Sequence, residues 1–332
     1  MKKHTSALVL GIALLVLSGL SLLIGVVDLF SGMTGMELKV LLLTRIPRLL
    51  AILCTGAGMS VAGLIMQQLC MNKFVSPSTG ATVQSAQFGI LLSLVFFPGI
   101  GLWGRVMLAF VMSILGTWVF VWFIQRLQFK SAVLVPLIGI MFGNVLGGIT
   151  SFIAYKFEVT QQLSTYFVGS FALIVKGNYE LVWLALPLVA VAFFFANYFN
   201  IVGMGRDFSQ NLGMNYQLVL FCGLTIASMI TASIVTVVGQ ISYIGLIVPN
   251  LVAMFKGDRI QGTLVDTALI GALFVLVCDI IARSIISPYE LPIELIVGII
   301  GSILFIAMLI YKLGHGRKAI RLTKAKEVSS CG

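Results

Sequence analysis

The stretch that most constrains this chain is Gly239–Arg259, GQISYIGLIVPNLVAMFKGDR. An apolar segment enters it from Val219, a glycine and small polar residues break the run, and a shorter apolar segment carrying Pro249 follows. The stretch ends in Lys256-Gly257-Asp258-Arg259. In water such a sequence has no amphipathic stripe to bury, and it places a proline where a helix must be regular. In lipid it reads as a broken span. Such a break is tolerated at membrane depth only where protein or a water-filled cavity covers the freed backbone groups. The expectation is an element that lines a pathway, not a lipid-facing scaffold.

Composition agrees. Apolar residues make up 59% of the 332 positions, charged residues 10%, and the mean hydropathy is +1.10. A soluble domain carries roughly a quarter charged residues. The chain is therefore expected to be an all-α polytopic membrane protein, a single domain over 1–332 with a basic tail from about 312. The net charge of +10 does not point to nucleic acid, because the cations are spread over loops and the tail. That distribution fits orientation in the bilayer and attraction to anionic head groups. Cys54, Cys70, Cys222, Cys278 and Cys331 form no CxxC pair, and two histidines build no metal site with them.

Segments of about twenty apolar residues cross a bilayer core. They fall near 7–27, 49–69, 80–97, 104–124, 132–155, 180–200, 215–238, 264–286 and 292–311, and the short segment near 243–256 is a tenth. An even number puts both termini on one side. With that side cytoplasmic, Lys73, Arg126, Lys130, Arg206, Lys256 and Arg259 lie inside with the tail, as lysine and arginine prefer. Gly139, Gly143 and Gly147 form a stripe that lets another helix approach closely.

Arg45 and Arg48 flank Pro47 at the outer edge of the second span, where cations are expected to be few. They either snorkel to lipid phosphates or offer forked donors to carboxylates of a docking partner. The turn after Gln67-Gln68 runs through Asn72, Pro77, Ser78 and Thr79 into the third span. The inner loop Gly203–Tyr216 is longer than a tight helix link needs and is expected to hold one or two short surface helices. Asp279 and Arg283 are four apart on one helical face, so they can neutralise each other within the bundle.

Taken together these pieces resemble the FecCD family of ABC-importer permeases. RIPR with GAGMSVAGLIMQQ is similar to that family's second helix. GQISYIGLIVPN is similar to its motif glycine-x-isoleucine-x-phenylalanine-isoleucine-glycine-leucine-x-x-proline-histidine, carried here by Gly239, Gly245, Pro249 and, in place of histidine, Asn250. DIIAR with ELPIELIVGIIGSILF is similar to the last two helices. NKFVSP replaces the usual asparagine-proline-leucine-alanine turn, Glu294 a glycine and Ile303 a proline. These variants look like the branch that serves catecholate siderophores.

The resemblance implies a type II ABC importer permease fold of about ten helices, in a bacterial cytoplasmic membrane with both termini cytoplasmic. It implies a dimer, with itself or a paralogue, whose axis is the pathway. It also implies two ATPase subunits inside and a siderophore-binding protein outside. Arg45, Arg48 and Arg283 match arginines that pair with glutamates of the binding protein, which moves Arg283 towards the mouth and away from Asp279. Gly205, Arg206, Asp207, Gln210, Leu212 and Gly213 fall in the loop that grips the ATPase. Asn72 and Phe74 match the inner gate, with Ser131 and Ala132 near a second constriction. No GxxxxGK[ST] loop is present, so ATP and magnesium belong to the partner ATPase and this chain holds no cofactor and is no enzyme. Haem or cobalamin are alternative cargoes. An ion-coupled secondary transporter is the rival from another class; it needs carboxylates near the midplane, for which only Asp279 and Asp266 qualify.

Overall fold

The computed structural model describes residues 2–24, 35–77, 81–126, 134–257, 260–286 and 289–330, with side chains not described beyond Tyr311. Among them the regular structure is helical. In order come α1 (Lys2–Leu23), α2 (Gly35–Val40), a π turn (Leu41–Arg45), α3 (Ile46–Leu69), α4 (Thr82–Phe96), α5 (Leu102–Arg126) and α6 (Leu134–Lys156). There follow α7 (Thr160–Phe167), a 3₁₀ turn (Glu180–Leu184), α8 (Ala185–Phe194), α9 (Ala196–Val202) and α10 (Arg206–Asn211). The chain closes with α11 (Tyr216–Val238), α12 (Ile244–Lys256), α13 (Ile260–Ser284) and α14 (Ile293–Ser330).

Among the described residues six helices are long and apolar enough to cross a membrane; α8 and α9, bent by 63°, make one more broken span. Three shorter apolar helices, Ala7–Leu23, Thr82–Phe96 and Ile244–Lys256, supply the rest of the expected segments. The second span begins earlier than hydropathy suggested, at Leu38 rather than near 49. Arg45 and Arg48 are thus inside a helical run and not at its edge. Pro47 explains how the run survives: it sits in the first turn of α3, directly after the π turn in which Ile46 N–H reaches back to Leu41 O.

α3 is the centre of the bundle, buried almost continuously from Ala51 to Cys70. Its glycines each admit a different neighbour. A Cβ on Gly56 would strike the backbone of Gly271 and Ala272 in α13, one on Gly58 the side chains of Ile230 and Ile234 in α11, and one on Gly63 the backbone of Gly245 in α12. Close backbone approach is how helices gain contact where lipid offers no hydrophobic gradient. In contrast α1, α5, α6 and α14 expose leucine, isoleucine and phenylalanine outward, as surfaces turned to lipid or to another subunit do. The glycine stripe of α6 behaves as packing: Gly143 and Gly147 face Gln84 of α4.

The break after α11 is real. Gly239 takes φ +90°, Tyr243 takes φ +68°, and α12 starts afresh at Ile244. The freed backbone is covered by the extended segment 167–170: Gln240 N–H donates to Phe167 O at 3.1 Å, and Ser170 N–H to Val238 O at 3.0 Å. A Cβ at Gly239 would collide with Val168 O, so only glycine permits both the turn and this approach. The first turn of α14 joins the seam through Glu294 N–H to Gly169 O at 3.3 Å.

Candidate functional site

Three groups of residues singled out from the sequence lie in three places. The first is the Ile46 end of α3. Arg48 donates through Nη1 to both oxygens of Glu290, at 2.7 and 2.9 Å, and through Nη2 to Asp279 Oδ1 at 2.8 Å. Asp279, 1% exposed, also pairs with Arg283 Nη2 at 2.8 Å. The pair that the i,i+4 spacing allowed is therefore formed, although the resemblance had argued it down. Arg283 reaches further, to Ser21 Oγ at 2.6 Å and to the carbonyls of Ser21 and Ile24, while Arg45 donates to Leu22 O at 2.6 Å. The last carbonyls of a helix have no partners of their own, and cations there also complement the helix dipole. Arg45 and Arg283 thus cap α1. All three arginines are engaged within this chain, and the partly exposed carboxylate Glu290 completes the cluster.

The second place is the loop after α9. Gly205, at φ +112°, turns the chain into α10, and Gly213, at φ +76°, turns it out again. Ser209, buried beneath, fastens the helix by donating to Ile201 O at 3.0 Å and Gly205 O at 2.7 Å. Its outer surface carries Arg206, Asp207 and Gln210 together with exposed Phe208 and, at its end, Leu212, while exposed Met204 lies in the turn before it. Of the one or two surface helices expected here, one forms.

The third place joins the Leu69 end of α3 to α12. A cavity of about 300 Å³ is lined there by Gln67, Gln68, Asn72, Lys73, Gly203, Pro249, Asn250 and Thr263, among others. Asn72 Oδ1 accepts from Phe74 N–H at 2.9 Å, which shapes the turn, and the exposed Phe74 ring meets Phe305 of α14 edge-on at 6.2 Å. Asn250 Nδ2 donates to Lys73 O and to Leu246 O, each at 2.7 Å. The structure thus brings Asn72, Pro249 and Asn250 together. Gly245 supplies the close contact with α3, and a Cβ there would also meet Pro77. Ser131 and Ala132, with Ser78 and Thr79, lie outside the described residues.

Sequence reasoning passed over Gln67. Pro249 has no N–H, so Gly245 O four residues back loses its helical donor. Gln67 Nε2 occupies that position, 3.1 Å from Gly245 O and 3.3 Å from Leu246 O. A proline inside an apolar segment was the available signal that some buried donor had to exist.

Among the described residues no group of three or more histidine, cysteine, aspartate or glutamate side chains is placed to hold a metal. Among the described residues, the two aspartates inside spans are ion-paired: Asp279 with two arginines, and Asp266 with Lys256 at 2.6 Å.

A model of the FecCD transport family matches residues 7–311. The chain is 43% identical over 303 residues to the petrobactin import system permease protein YclN of Bacillus subtilis, covering 90% of this chain and 96% of that one. It is 38% identical to the petrobactin import system permease protein FatD of Bacillus anthracis, over 91% of this chain and 90% of that protein. A third relative, the ferric-anguibactin transport system permease protein FatD of Vibrio anguillarum, is 36% identical over 80% of this chain and 85% of its own length. Among solved structures, an inward-facing ABC transporter of the metal-chelate type superposes with a TM-score of 0.82 at 26% identity, covering 93% of this chain and 99% of that one.

Proposed function

The chain belongs to the FecCD transport family, and from that premise we propose that it is the membrane-spanning permease of an ATP-driven importer whose cargo is an iron–siderophore complex of the catecholate type. It is a multi-pass transport subunit and not an enzyme. The observation that carries the cargo is the gradient of identity: 43, 38 and 36% to petrobactin and anguibactin permeases, against 28% to iron-hydroxamate and molybdate permeases.

In this reading the protein lies in a bacterial cytoplasmic membrane with both termini inside. A second permease, identical or paralogous, completes the pathway, two ATPase subunits dock on the cytoplasmic face, and a siderophore-binding protein docks outside. The exposed Phe208 of α10 and Leu212 at its end, with Arg206 and Asp207 beside them, support a contact in which a short helix enters a groove of the ATPase. ATP binding there biases which way the bundle opens, a two-state element driven by a ligand held elsewhere. The turn carrying Asn72 and Phe74 serves as the inner gate. At the opposite end Arg48 is held by Glu290, whose side chain is 31% exposed. A carboxylate of the binding protein would dock by taking the place of Glu290. Neutralisation of Asp266 and Asp279 by cations of the same chain supports this reading over coupling to an ion gradient.

The test is competitive uptake of radioactive iron by cells that depend on this permease. Ferric catecholate is expected to enter and to be indifferent to excess ferric hydroxamate, haem or cobalamin. Uptake of one of those competitors in its place would overturn the cargo.

A further inference from the structure

The last turn of α3 holds two neighbouring glutamines that face different parts of the machine. Gln68 packs on Gly203, where the chain leaves α9 for α10; a Cβ on Gly203 would occupy the space of the Gln68 side chain. Gln67, only 7% exposed, turns to α12 and fills the acceptor that Pro249 orphans. Asn250, one residue beyond that proline, ties α12 in turn to Lys73 of the gate turn. A cavity of about 300 Å³ lies between these contacts. The end of α3 thus has room to shift there, which a close-packed core would not allow.

We propose that Gln67 is a positioning residue, an amide latch by which displacement of the loop Gly203–Tyr216 is carried through the end of α3 to α12 and the gate turn. This rests on the reading of that loop as the ATPase contact. The path is short: Gly203 bears on Gln68, Gln68 is one residue from Gln67, and Gln67 grips the first turn of α12. A side-chain amide suits this task because it links two helices by hydrogen bonds and constrains neither backbone. Of the two carbonyls it holds, Gly245 O lacks its helical donor because residue 249 is proline. Gly63 adds to the grip, since the absence of its side chain lets α3 and α12 touch at Gly245.

A plug that merely satisfies a carbonyl and a latch that transmits motion differ in one respect. Pro249→Ala restores a backbone donor to Gly245 O within α12, but it makes no link to α3. The experiment uses the assembled importer in lipid nanodiscs with Cys222 and Cys331 replaced by serine. Spin labels sit at Trp122 on α5 as reference and at either Tyr198 on α9 or Met254 on α12, all exposed positions. The probe is ATP with vanadate, and the readout is the distance change by pulsed EPR.

In the parent both labels are expected to shift. In Gln67→Met combined with Pro249→Ala, most of the thermal stability lost in Gln67→Met is recovered and Tyr198 still shifts. Met254 no longer follows, its shifted population falling about tenfold, the scale of losing one buried hydrogen bond. Full retention of the Met254 shift in the double variant overturns the latch and leaves a plug. Absence of any shift at Tyr198 in the parent overturns the reading of the loop itself, and the latch with it.

Discussion

The molecule places a proline inside a central helical run at two points, and the two are repaired differently. Pro47 removes the donor for Leu43 O, and the backbone N–H of Lys176 takes that place at 2.9 Å. Around it, Arg48, Asp279, Arg283 and Glu290 form a charge-assisted cluster, and two arginines cap α1. Pro249 removes the donor for Gly245 O, and there the replacement is a side chain, Gln67, beside a cavity. Backbone and buried ions hold the first break; a neutral, rotatable amide holds the second. In the reading proposed above, one end of α3 is an anchor and the other a joint. A bundle that must open alternately to two sides needs both.

The largest effect should come from the anchor. Asp279→Ala leaves Arg48 and Arg283 buried without their shared partner, and breaking such a pair costs about 3–5 kcal/mol. Thermal unfolding of the purified subunit should show a large loss; an unchanged midpoint would mean that the cluster does not hold this end. Next is the joint. Gln67→Met should cost about 1–3 kcal/mol by orphaning buried Gly245 O, with most of it recovered in the Pro249→Ala background. A loss as large as that of Asp279→Ala would erase the contrast. Third, Arg206→Ala with Asp207→Ala should leave folding within about 0.5 kcal/mol and complex assembly intact, while uptake per ATP hydrolysed collapses. Unchanged uptake would separate α10 from the drive.

The smallest effects concern docking outside. Arg45→Glu should weaken binding of the partner by about 1 kcal/mol or less, more at low salt because charge pairs in contact with water are screened, and it also removes the donor to Leu22 O. Arg45→Gln, which keeps a donor for Leu22 O, separates loss of the charge from loss of the α1 cap. Reversing Arg48 would set three carboxylates together and disturb the anchor before it reports on docking. Glu290→Gln should instead favour docking by freeing Arg48 for the incoming carboxylate. If neither Arg45→Glu nor Glu290→Gln moves the docking affinity, these side chains serve the subunit alone.

Much of this was legible in the sequence where the signal is local. Runs of hydropathy located the spans, Gly239 with Pro249 located the break, and the spacing of Asp279 and Arg283 allowed their pair. The start of the second span was missed because a π turn lets the helix continue through Thr44 and Arg45 into Pro47, which a hydropathy window reads as an edge. Partners far apart along the chain left no trace: Arg48 with Asp279, Gln67 with Gly245, Lys176 with Leu43. A proline announces that a carbonyl is orphaned but not which residue answers it. That depends on which helices meet, and the glycines of α3 decide it through contacts made only in the folded bundle.

The most direct measurement of the central proposal, that this bundle is a passive conduit moved from the loop Gly203–Tyr216, is uptake into liposomes of defined content. With the complete importer, binding protein outside and ATP inside, radioactive ferric catecholate should accumulate against its gradient. That accumulation should stop with a non-hydrolysable nucleotide and ignore a protonophore. Uphill accumulation by this chain alone, driven by an ion gradient without nucleotide, would contradict the account.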